Sequence, residues 1–265
     1  MSFDIDAYQN SAGRVQDDDI DYEEFTRRPL SPDALRALRY MSDIESHTVC
    51  YLRDLLVTPS HIDPAVTTFL TMWVFEEHWH GEVLAKVLAA HGIQTGAGHI
   101  AAVRRRLGWR DRVAPIGQAL IANIVGEDFV AVHMSWGAIN EWSAYAGYAR
   151  LAEIERHDML EVLLTRIMRQ ESRHAAFYAS QARDRLAASA KARRLTRFAL
   201  RRFWEPVGAG VSPRSETGHM LNFLLGDSTG RRMLDQIDDR IHRLPGLGGL
   251  NLVRRASAAY GLAYL

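Results

Sequence analysis

The chain has 265 residues, 47% of them hydrophobic and 24% charged, and its formal net charge is zero. This is globular composition with enough apolar material for a sizeable core, and it gives no global pull toward nucleic acid. No apolar run approaches the ~20 residues that span a bilayer, and the single cysteine, Cys50, excludes both an intramolecular disulfide framework and a thiolate metal site of its own.

Residues 1–29, which include the acidic run DDDIDYEE at 17–24, are polar and lack periodicity, and are expected to form a mobile or draped N-terminal arm. The first residues show neither the basic nor the apolar region of a secretory signal, so a cytoplasmic location is expected. Ser31 followed by Pro32 predicts a helix start. From there to Val57, one apolar stripe runs through Leu35, Leu38, Met41, Leu52 and Leu55, with Glu45 in its middle. Cys50 on this stretch reads as a small buried hydrophobe. Pro59 closes the helix. Asp63 and Pro64 open a second, predicted to reach Ala90 before His91-Gly92 stops it. Glu77 and His80 lie near its centre, three residues apart and therefore on one face.

Residues 93–110 hold glycines, the cluster Arg104 to Arg106 and Trp109, and read as a connection with one short helix; 111–125 are apolar and helical. A third long helix is predicted over 127–156, apolar on almost every side. Glu141 is its conspicuous charge and must be paired, protonated or bound to metal. The short turn at His157-Asp158 returns a fourth helix antiparallel beside it, over 159–187, carrying Glu171 and His174. Residues 189–205 predict a basic amphipathic helix with Arg193, Arg194, Arg197, Arg201 and Arg202; the rest reads as shorter helices and loops. The expectation is one all-α domain: a four-helix bundle over 31–187 with additional C-terminal helices over 188–265.

Across the four helices the order is Glu45, Glu77-x-x-His80, Glu141, Glu171-x-x-His174. One Glu-x-x-His is common on a solvated helix. Two copies on separate helices, with one further glutamate from each of two others, are the ligand set of a ferritin-like di-iron or di-manganese bundle. Four negative charges balance two divalent cations, and oxygen and imidazole donors without thiolate suit iron or manganese rather than an iron–sulfur cluster or structural zinc. Carboxylates satisfied by the many arginines would leave both histidine positions to coincidence. Trp73, Gln170 and Ser143 stand where they could support the ligands. Met134 and Trp136, with Phe69 and Met72, either line an apolar tunnel or are simply core. His133 is a candidate partner of a ligand, and the remaining histidines read as surface or structural.

On these residues, over roughly 35 to 185, the chain resembles the soluble acyl-carrier-protein (acyl-ACP) desaturases. Trp73 stands four residues before Glu77, Glu76-Glu77 form a pair, Gly81 follows His80, and Glu171, Arg173 and His174 match the second motif. The resemblance implies that Glu77 and Glu171 bridge two irons, that Glu45 and His80 complete one and that Glu141 and His174 complete the other. It further implies O2 and an external electron donor such as ferredoxin, an acyl carrier protein as partner, a homodimer, and a double bond or hydroxyl introduced into an acyl chain. Two positions depart from that pattern: Gln170 replaces an acidic residue that orients a ligand histidine, and Ala144, preceded by Ser143, replaces a threonine. The ligand set stays whole, and the reaction outcome is left open. A di-iron N-oxygenase or hydroxylase of a small molecule uses nearly the same ligands, although Ile167 stands where an extra histidine would mark the N-oxygenases. Bacterioferritin-like handling of iron or peroxide is a third reading, disfavoured by the long connection between the second and third helices. For a carrier-tethered substrate, the arginines of 193–202 would face the acidic carrier; otherwise they are an ordinary solvated face.

Overall fold

The computed structural model describes residues 3–108 and 110–262; Trp109, named above, lies outside them. The described chain is helical throughout, without strands. In order it runs α1 Ile5–Ser11, α2 Glu24–Arg27, α3 Pro32–Glu45, α4 Thr48–Leu55, a 3-10 turn Pro59–Ile62, α5 Pro64–Ala90, α6 Ala97–Leu107, α7 Arg110–Val125, α8 Asp128–Glu155, α9 Asp158–Ala188, α10 Ala190–Phe203, α11 Arg214–Leu225, α12 Ser228–His242 and α13 Leu252–Ala259. No helix among the described residues is long and apolar enough to cross a membrane.

Four helices make the frame: α8 and α9 pack along their length, α3 lies on α5, and α5 meets α9. Polar ties at their ends fix the antiparallel arrangement. The Ser31 hydroxyl, which also caps α3, donates to Glu155 at the end of α8 (2.6 Å). Asp63 caps α5 by accepting from Ala65 and Val66, and pairs with Arg185 near the end of α9. Each cap satisfies backbone donors that the first turn leaves unpaired.

The single helix expected from 31 to 57 is broken at Ser46-His47. The Thr48 hydroxyl takes the carbonyl of Glu45 (2.7 Å), and the His47 amide bonds Ile44 in place of the residue four back. Such competition by serine and threonine for the backbone ends helices. α3 therefore stops at the glutamate that faces the bundle centre. Cys50, just beyond the break, is half-buried rather than buried.

The N-terminal arm is draped over the bundle. Tyr8, Val15 and Phe25 join the same contiguous core as Leu160, Leu224 and Leu262, and Arg166 grips Asp19 (2.6 Å). At the other end, buried Arg150 of α8 donates to the Leu224 carbonyl (3.0 Å) and pairs with Asp227 (2.5 Å), while Arg36 of α3 holds Glu216 (2.7 Å). These ties dock the C-terminal helices on α3 and α8.

Candidate metal centre

All six residues of the sequence pattern meet at the middle of the four-helix frame, each between 0% and 6% exposed. Their donor atoms form two overlapping groups, Glu45, Glu77, His80 and Glu171, and Glu77, Glu141, Glu171 and His174; within each, the donors lie within 4.8 Å of one another. Glu77 and Glu171 belong to both. His80 Nδ1 lies 3.3 Å from Glu171 and 3.8 Å from Glu77. His174 Nδ1 lies 3.0 Å from Glu77, 3.4 Å from Glu171 and 4.0 Å from Glu141.

The outer ring nitrogens are anchored. His80 Nε2 donates to Gln170 Oε1, and His174 Nε2 to Glu76 Oε2, both at 2.8 Å. With Nε2 donating to these anchors, each Nδ1 points at the carboxylates and, once deprotonated, offers the lone pair that a metal ligand needs. Trp73 donates its indole N–H to Glu141 (3.1 Å), and the Tyr148 hydroxyl donates to Glu45.

Four carboxylates in so small and dry a volume repel one another. Burial, reinforced by Glu45 and Glu171, pushes Glu77 well above the ordinary glutamate range; burial and Glu171 do the same to Glu141. Burial also acts against the Glu171 carboxylate, but the His174 and His80 imidazoles beside it outweigh this and hold the group far below that range. Burial pulls His80 down, yet the Glu171 carboxylate beside it wins and lifts the imidazole to about 8. The cluster demands positive charge. Glu77 Oε1, Glu171 Oε1 and His80 Nδ1 are buried and make no hydrogen bond. Such atoms are costly unless something satisfies them, and all three are metal donors turned into one cluster. The donor set therefore could hold a hard divalent cation at either group, and Glu77 and Glu171 are common to both.

The supporting residues divide. Trp73 and Gln170 touch ligands as described. Ser143 returns its hydroxyl to the Ile139 carbonyl (2.7 Å) and instead lines a cavity of about 60 Å3 between α3, α8 and the C-terminal helices. That cavity reaches Glu45 and Tyr148, and its walls are almost wholly apolar, with Ile44, Gly147, Trp204 and Val207 prominent. Met134 is fully buried core, Trp136 is packed against the core edge, and neither lines this cavity. Phe69 is stacked on Phe177 at 4.0 Å. His133 bonds Ser60 (2.8 Å) rather than any ligand. Of the α10 arginines, Arg193 and Arg197 are spent on the carbonyls of Leu186 and Gly248 (2.8 Å each), while Arg194, Arg201 and Arg202 are exposed.

Tyr8, Gly13 and Tyr148 escaped sequence reasoning. Tyr8 donates to Glu76 Oε2 (2.9 Å), and the Gly13 amide to Glu76 Oε1 (3.1 Å), so the arm fixes the carboxylate that anchors His174. Arg173, already part of the second motif, also pairs with Glu76 (2.7 Å). Nothing in the aperiodic arm announces this role. Tyr148 was legible in principle, because it lies seven residues after Glu141 and so on the same face of α8. Comparison with family models, with curated proteins and with solved structures finds no match.

Proposed function

We propose that this chain is a ferritin-like di-iron oxidase that uses O2 to oxidise an unactivated C–H position of an apolar substrate, in the manner of the acyl-ACP desaturases. The observation that carries the reading is the pair of overlapping donor groups sharing Glu77 and Glu171, with both histidines oriented inward by anchored outer nitrogens. Two irons held there would supply the electron transfer to O2 that no protein side chain provides; manganese fits the same donors. For a desaturation the balance is one CH2–CH2 unit, O2, two electrons and two protons giving CH=CH and two waters, with the two electrons from an external donor such as ferredoxin.

The residues contribute position and dryness. Glu77 and Glu171 would bridge, Glu45 with His80 and Glu141 with His174 would complete the two ions, and Tyr148 and Trp73 hold the terminal carboxylates in place. Burial of all six excludes bulk water, which protects a reactive oxidant from side reactions. The apolar cavity on the Glu45 side is the favoured substrate site. At about 60 Å3 it is well below the ~150 Å3 that accepts a benzene ring, so it suits a slim alkyl segment and not a ring.

The test is anaerobic loading with Fe(II), counting of iron per chain, and an optical spectrum after O2 is admitted. Close to two irons per chain and an O2-dependent absorption, both lost in Glu171→Ala, are expected. One zinc per chain with no response to O2 would sink the oxidase, and a large cage on gel filtration would favour iron storage. Substrate screening then begins with carrier-bound and free short alkyl chains.

A further inference from the structure

The segment that joins the second and third frame helices, α6 and α7, is built unlike the rest of the molecule. Residues 97–125 carry five arginines and one acidic residue, in a chain whose net charge is zero. Arg104, Arg105 and Arg106 close α6 and are exposed, Arg104 with its guanidinium on the Ser46 carbonyl (2.7 Å). On α7, Val113 (49% exposed), Ile116 (68%), Leu120 (63%), Ile121 (64%) and Ile124 (77%) face solvent. Their spacing of three, seven, eight and eleven residues from Val113 puts them on one stripe of the helix. Asn123 of α7 donates to the Val57 carbonyl (2.8 Å), which joins the stripe to Leu56 and Val57, also exposed (46% and 55%).

We propose that α6 and α7 seat this protein on an anionic membrane surface, with the α7 stripe in the headgroup region and Arg105 and Arg106 against lipid phosphates. A helix with an aliphatic face beside a cluster of arginines is the pattern of an interfacial helix, whose apolar face sinks about 5–10 Å into the lipid. Each basic residue near such a surface adds attraction of its own. A second copy of the chain is a poorer occupant, because a twofold contact would bring two arginine-rich segments together. A protein groove is also less suited: the stripe is convex and aliphatic, without the aromatic anchors that dominate protein hot spots. The surface is separate from the metal centre, so it stands or falls independently of the proposed function.

Full-length protein would be sedimented with vesicles of phosphatidylcholine alone and of phosphatidylcholine with phosphatidylglycerol, and its size measured by gel filtration. Binding to the anionic vesicles only, weakened by salt, is expected. Arg105→Glu with Arg106→Glu should weaken it at least about tenfold, and Leu120→Glu with Ile124→Glu should abolish it, with helicity and metal content unchanged since these residues are on the surface. Absence of binding by the wild-type protein, or equal binding by the Leu120→Glu, Ile124→Glu variant, would overturn the proposal. A stable dimer that the same variant converts to monomer would assign the stripe to a second copy instead.

Discussion

Gln170 uses both ends of its amide. Its oxygen accepts from His80, and its nitrogen donates to Glu76 Oε1 (3.0 Å) and to the Gly13 carbonyl (2.7 Å). A carboxylate at this position would still accept from His80, but would face the Glu76 carboxylate and the Gly13 oxygen with no proton to give. Gln170→Glu is therefore expected to lower the melting temperature of the metal-free protein, although it restores the acid that the resemblance leads one to expect; an unchanged melting temperature would show that Glu76 has other compensation. His133 makes a second prediction. Burial, with Arg185 adding its charge, pulls this imidazole from 6.5 to about 3. Below pH 6.5 the unfolded chain takes up a proton that the folded chain refuses, so the stability from this group is complete above 6.5 and is lost as pH falls toward 3. His133→Leu should flatten the acid limb of a urea-midpoint profile by up to about 1.4 kcal/mol per pH unit, and parallel limbs would show that His133 is not the titrating group.

At the scale of an element, the break after α3 matters most. Ser46 and Glu45 come so close to α5 that a Cβ built on Gly81 would lie 2.9 Å from the Ser46 hydroxyl and 3.4 Å from Glu45 Cβ. The glycine that follows His80 thus lets α3 end against α5 with Glu45 at the centre. Gly81→Ala must displace the Ser46 hydroxyl and presses on the Ser46 amide (3.3 Å), which shifts the end of α3 that carries Glu45. It is expected to cost about 1–3 kcal/mol by overpacking and to reduce bound metal, with thermal melts and metal content as the two readouts; loss of stability with full metal content would separate packing from ligation. Gly137 plays the same part between α8 and α9, where a Cβ would fall 2.4 Å from the Tyr178 ring.

At the scale of the whole molecule, the termini complete a cluster whose candidate metal donors all come from the frame. The arm supplies Tyr8 and Gly13 to Glu76, and the C-terminal helices wall the cavity beside Glu45. Removing residues 1–22 should leave far-UV helicity close to that of the full chain. Metal affinity should fall about 10–100-fold, the usual cost of losing the groups that orient ligands. Metal titration of the truncated protein checks this, and an unchanged affinity would reduce the arm to a cover over the core.

Most of the helices, and the six buried donors that meet between them, were legible in local sequence. Helix periodicity, Ser31-Pro32, Asp63-Pro64 and the His157-Asp158 turn are local signals, and i to i+3 spacing places glutamate and histidine on one face whatever the helix packs against. Tertiary structure alone decided which second partners those ligands acquire. Tyr8, Gly13, Glu76 and Gln170 are brought together across 63 to 157 residues of chain by packing, and no short-range pattern encodes such contacts. It also decided where α3 ends, since a side chain competing for one carbonyl outweighs an apolar stripe that continues past it. The apolar cavity beside Glu45 lies between α3, α8 and the C-terminal helices, and a space enclosed by several elements is a property of none of them.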